Sequence, residues 1–205
     1  VVGDEAGTAL TTGDNNVAVG FEALKTEDGH GQNVAVGYRA LKTLNAGGDA
    51  HNTAVGNLAG EDVTTGTGNT LIGSLSGMGL TTGGSNTALG YNSLEVDTAG
   101  SKTVAIGFNA LQAQNFSSAT DSHNTAVGYN SGLVVTTGTN NTLIGGLAGD
   151  ALTDADNNVA LGHLSLTTDT KGSRNTALGY ATLQTQNFTS ATNSNNTAVG
   201  YAAGS

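Results

Sequence analysis

The 205-residue sequence contains no cysteine, no proline and no tryptophan, and aromatics make up only 4% of it. The missing cysteine excludes disulfide staples and thiolate metal ligands. Charged residues are 11%, well below the roughly 25% of an ordinary domain. The six basic residues (Lys25, Arg39, Lys42, Lys102, Lys171 and Arg174) are scattered, and the net charge is −10. A nucleic-acid surface needs clustered Lys and Arg, so none is expected. No apolar run approaches the ~20 residues of a membrane span.

What is present is glycine, 32 residues of it, and a repeated phrase. HNTAVGNLAG (51–60), HNTAVGYNSG (123–132) and NNTAVGYAAG (195–204) stand 72 residues apart. The glycine closing the phrase recurs at 3, 20, 37, 56, 73, 90, 107, 128, 145, 162, 179 and 200. Most steps are 17 residues; the exceptions are 19 after Gly37 and 21 after Gly107 and Gly179. A near-constant period of this size marks a solenoid.

Each column around that glycine has its own chemistry. Four residues before it stands Asn in ten of eleven copies: Asn16, Asn33, Asn52, Asn69, Asn86, Asn124, Asn141, Asn158, Asn175 and Asn196, with Thr103 the exception. Thr or Val, then Ala (Leu at Leu71 and Leu143), then an aliphatic residue lead into the glycine. Four residues after it the chain alternates in pairs, Leu24 and Leu41, Gly60 and Gly77, Leu94 and Leu111. The Gly copies carry an aliphatic residue three places on, such as Val63 and Leu80. Four copies form one super-repeat, about 52–123 and 124–195. The position just after the glycine is usually Tyr or Phe; where it is not, the next residue is Leu, as at Leu58 and Leu147. This exchange predicts one core slot filled from either position, with the rings as packing groups.

Apolar spacing far from 3.6 and a wealth of Thr, Val, Asn and Gly disfavour helix. The expectation is an all-β fold, a parallel β-roll or β-solenoid of about twelve 17-residue coils over 1–205. Stacked ~4.8 Å apart, twelve coils span roughly 58 Å. The Asn column is expected to form a structural ladder, with its residues taking left-handed corner conformations. The Thr-Ala-Val strand is small or apolar on both faces, as in strands covered on both sides. With no helix to cover the second face, other copies of the chain are expected to do so. Ile144 is expected in that core, so that Asp there breaks fold and assembly together.

The run Asn-Asn-Thr-Ala-Val-Gly-Tyr with Thr-Thr-Gly spacers resembles the head repeats of trimeric autotransporter adhesins and, more closely, the repeats of phage tail fibres. The resemblance covers the whole chain, although adhesin heads have shorter repeats. It implies left-handed coiling, a homotrimer and an extracellular place on a virion or cell surface. It also implies an adhesive or structural fibre segment that supports attachment to a host. Because Val1 falls within a repeat, the sequence reads as a segment of a longer fibre, and end-to-end filament growth without receptor specificity is the alternative. Regular Thr ranks also leave open an ice- or glycan-binding solenoid.

No catalytic group recurs and no cofactor is expected, so the sequence does not read as an enzyme. The acidic stretch from Asp150 to Asp156 offers oxygens for Ca²⁺, without EF-hand spacing. His51 and His123 precede the ladder Asn in equivalent places and read as polar turn residues. The long steps, LQAQNFSSATDSHN (111–124) and LQTQNFTSATNSNN (183–196), place Gln114, Asn115, Phe116, Gln186, Asn187 and Phe188 outside the repeat columns. These six are the candidate surface-binding loops for a glycan or receptor, with Phe capping of the coil edge as the structural reading.

Overall fold

The computed structural model describes residues 1–205 and contains strands, turns and bends but no helix. Eleven three-residue strands, from Val17–Val19 to Thr197–Val199, form one parallel sheet in strict sequence order. Twelve glycine marks give eleven strands because the first copy contributes only a bridge, Val2 to Val19. The register never slips. Ala18 pairs with Ala35, Ala35 with Ala54, and Ala54 with Leu71, whether the step is 17 or 19 residues. Within each 21-residue step the extra residues form a small parallel pair with the coil before. Gly100–Ser101 pairs with Thr120–Asp121, and Gly172–Ser173 with Thr192–Asn193.

Strand alternation sends the central Ala or Leu inward and the flanking Thr/Val and aliphatic residues outward. Ala18, Ala54, Leu71, Ala105 and Leu143 are fully buried, whereas Val55, Ile72 and Ile144 are half-buried on the outer face. Ile144 therefore does not lie in the coil interior, which corrects its expected place. The interior is completed by the small residue three after the glycine and by one leucine-sized group per coil. In Leu copies that group is Leu24, Leu41, Leu94 or Leu111; in Gly copies it is Val63, Leu80, Val135 or Leu152.

The corners add to the strands in holding the coils, since only 22 of the 121 backbone–backbone hydrogen bonds run within the strands and the other 99 involve turns and loops. The closing glycine is required by close approach. A Cβ on Gly37 (φ +140°) would stand 2.1 Å from the carbonyl oxygen of Gly56 in the next coil. The ladder asparagines bridge coils through their side chains. Asn52 Oδ1 accepts from the Asn69 N–H at 2.9 Å, and Asn52 Nδ2 donates to the Gly66 carbonyl at 2.8 Å. The same pair of bonds recurs at Asn69, Asn141 and Asn158, at 2.8–3.0 Å. The left-handed corner residue is not the ladder Asn but its predecessor, including Asn15 (φ 62°), His51 (φ 53°), His123 (φ 50°) and Asn140 (φ 58°). The ladder side chain is spent on bonding, so the column before it turns the chain.

Candidate functional site

The outer sheet face presents apolar side chains to solvent in rows along the solenoid. The rank preceding the glycine runs Val19, Val36, Val55, Ile72, Leu89, Ile106, Val127, Ile144, Leu161, Leu178 and Val199, one per coil. Beside it runs the Thr/Val rank, and just past the glycine runs the aromatic rank. Leu89, Leu161, Val17 and Val159 are exposed, and so are the rings, from 38% at Phe21 to 81% at Tyr201. Exposed apolar groups in contiguous rows on a rigid sheet mark an interaction surface rather than scattered surface residues.

The rings are not interior packing groups. They stack on one another outside the coils: Phe21 on Tyr38, Tyr91 on Phe108 on Tyr129, and His163 on Tyr180 on Tyr201, with centroids 5.2–5.7 Å apart. The expected exchange with Leu fails because the two positions have different backbone conformations. Leu58 and Leu147 sit at φ 58° and 57°, half-buried beside the column rather than in it. The 4.8 Å rise of a parallel sheet nearly matches an offset aromatic stack, so identical positions in successive coils stack without adjustment. Ring faces inside a stack are covered by neighbours, which leaves edges for a partner.

The long-step residues divide in two. Gln114 is 0% exposed and Phe116 is 5% exposed, while Asn115 and Asn187 are on the surface and Gln186 and Phe188 are half-buried. Gln114 is placed inside by a buried carboxylate. Asp97 Oδ2 accepts from Gln114 Nε2 at 2.6 Å, and Asp97 Oδ1 accepts from the Gly100 and Phe116 N–H groups at 3.0 and 3.1 Å. Gln114 also donates to Thr103 Oγ1 (3.1 Å) and accepts from Asn124 Nδ2 (2.8 Å). Thr103 interrupts the Asn column at the coil that Gln114 enters. Burial pushes the Asp97 carboxyl up from its ordinary value, against the opposing pull of Gln114 and the loop N–H groups. Asp169, Gln186, Phe188 and Asn196 repeat the arrangement one super-repeat later. Phe188 lies where a Cβ on Gly172 would stand, 2.9 Å away, so the ring caps the coil. The surface left by these loops for a ligand is Asn115, Asn187 and the Ser and Thr residues after them.

The first coils carry a charged ladder instead. Glu22 meets Lys25 at 2.7 Å, Arg39 at 2.8 Å and Lys42 at 3.3 Å, and Arg39 reaches on to Glu61. The hydrogen bond from Lys25, aided by Lys42 and opposed by desolvation, lowers the Glu22 carboxyl to about 2. In the 150–156 stretch the carboxylates go to separate neighbours. Asp150 accepts from Thr167, Asp154 pairs with Lys171, and Asp156 accepts from the Thr139 N–H and hydroxyl. They do not converge on one point as Ca²⁺ coordination requires. The coils close on their own side chains and no pocket opens between them. No helix is long and apolar enough to cross a membrane.

Compared with known protein families, curated proteins and solved structures, the chain matches none of them.

Proposed function

We propose that the chain is a structural and adhesive segment of an extracellular fibre, built as a homotrimer with the outer sheet faces turned together. The observation that carries this reading is the outer face itself, an unbroken aliphatic rank beside exposed aromatic stacks. Association would remove that apolar area from water, and each Å² of it contributes about 25 cal/mol. Invariant register, bonded corners and the absence of any unpaired linker between coils suit a stiff shaft. Attachment would be carried by groups displayed at fixed intervals along it, the exposed ends of the long-step loops among them. Virion or cell-surface placement follows from the resemblance to tail-fibre and adhesin repeats.

Sedimentation equilibrium tests the reading. One species of three 20.2 kDa chains is expected. Open-ended polymers would favour the filament without receptor specificity. A stable monomer would overturn both.

A second reading uses the same face. Thr53, Thr70, Thr87, Thr125 and Thr142 all point outward in register from a flat parallel sheet. Regular hydroxyl and methyl ranks of this kind can order water as ice does. A monomer showing thermal hysteresis would select this reading.

A further inference from the structure

We propose that Glu27, Asp28 and His30 form a binding site for a divalent transition-metal cation of the Zn²⁺ class. One ligand atom from each lies within 4.8 Å of the others. His30 Nδ1 is 3.2 Å from Glu27 Oε1 and 3.9 Å from Asp28 Oδ1. Ligands ~2.0–2.1 Å from a tetrahedral Zn²⁺ stand about 3.3 Å from each other, so the His30–Glu27 pair already fits and the exposed Asp28 closes in from 3.9 Å. One nitrogen and two carboxylates, with an open side toward solvent, suit a borderline cation better than Ca²⁺, which prefers an all-oxygen shell.

Burial supplies the independent reason. Glu27 is fully buried, and its Oε2 has no hydrogen-bond partner. Its counterparts seven residues after Gly90 and Gly162 are Asp97 and Asp169. There the second carboxylate oxygen is met by Gln114 and Gln186 from the following coil. In the first super-repeat that place belongs to Leu44, also fully buried, which offers no donor. A buried carboxylate with one oxygen left without a donor is a standing cost, and a cation held at its other oxygen, Oε1, lowers that cost by neutralising the charge. Glu27 is meanwhile oriented by the His30 N–H, which donates to Oε1 at 3.3 Å. His30 is exposed enough for entry, with 31% of its side chain open, and Asp28 is open at 57%. The proposal is independent of the fibre reading, because the site lies within one chain.

The test is calorimetric titration of the 205-residue chain with zinc chloride. One equivalent per chain is expected. His30→Ala, at an exposed corner, is expected to keep the native circular dichroism and weaken Zn²⁺ binding at least tenfold, and Glu27→Gln likewise. His51→Asn, which retains a residue suited to its left-handed corner, is expected to bind as the wild type does. Absence of a saturable one-equivalent step overturns the proposal. So does equal affinity in the wild type and His30→Ala, or Ca²⁺ binding as tight as Zn²⁺.

Discussion

Leu71 Cδ1 lies 2.7 Å from the point a Cβ on Gly60 would occupy. The other methyl, Cδ2, stands 2.6 Å from the same point on Gly77 in the following coil. One large side chain in the strand column thus fills the space left by two glycines in the corner column. Leu143 does the same between Gly132 and Gly149. The Leu and Gly copies alternate in pairs because a single Leu serves both.

This relationship predicts coupled mutations. Leu71→Ala should destabilise the chain by about 3 kcal/mol through lost burial and a residual cavity. Gly60→Ala should also destabilise, since its Cβ meets Leu71 and Leu41. The double variant should lose less than the two single losses together, because removing Leu71 frees the space the new methyl needs. Chemical denaturation of the four proteins measures the difference; strict additivity would break the account.

Ile144 and Leu143 are neighbours in one strand with opposite fates. Leu143→Asp buries an unpaired charge inside the coil and should abolish the folded state. Ile144→Asp puts the charge on the outer face. It should leave the circular dichroism intact and convert the proposed trimer to monomers. An Ile144→Asp chain that stays assembled would show that the face is not the contact.

The solenoid was legible because its signals are local and repeated: the period, the Asn column, and the aliphatic residue that offsets each Gly60-type copy. The sidedness of Ile144 was not, since the strand reads small or apolar on both faces and only three residues fix its phase. The ring column misled for a related reason. Tyr38 and Leu58 look exchangeable by size, but φ at Leu58 is 58° and changes where the side chain points. Gln114 looked like a loop residue because its partner, Asp97, lies one coil back, a pairing visible only when the coils are stacked. Glu27 and Asp28 stand in the sequence as adjacent acids, and nothing in the local sequence shows that Leu44 leaves Glu27 without a donor.

The buried polar network gives a third prediction. Gln114→Leu copies the residue that Leu44 supplies in the first super-repeat. It strands the buried Asp97 Oδ2 and takes one of two acceptors from the buried Asn124 Nδ2, which keeps the Gly138 carbonyl. The expected loss is about 3 kcal/mol, as for breaking a buried hydrogen bond to a charged group. Asp97→Asn in the same background should recover part of it, because the neutral amide is less costly to bury. Urea midpoints with unchanged slopes would register both effects; a Gln114→Leu chain as stable as the wild type would remove the network from the list of stabilising features.

Acid should act on the two carboxyl groups in opposite directions. Glu22 titrates at about 2 in the fold against 4.5 as an ordinary glutamate. Its contribution is complete above 4.5 and is lost as pH falls toward 2. The melting-point gap between wild type and Glu22→Gln should therefore be widest near neutrality and close across that window. Asp97 is raised above 3.8, because burial favours its neutral form. Its fold-stabilising state is the protonated one, complete below 3.8 and lost as pH rises through the folded value. The comparison of wild type with Asp97→Asn should accordingly shift in favour of the wild type as pH falls. Melting curves of the three proteins from pH 7 to pH 2 separate the effects, since the Asp97 difference moves toward the wild type above 3.8 and is complete below it, whereas the Glu22 gap narrows from 4.5 toward 2. Two gaps moving in the same direction would mean that one of the carboxylates is not in the environment described.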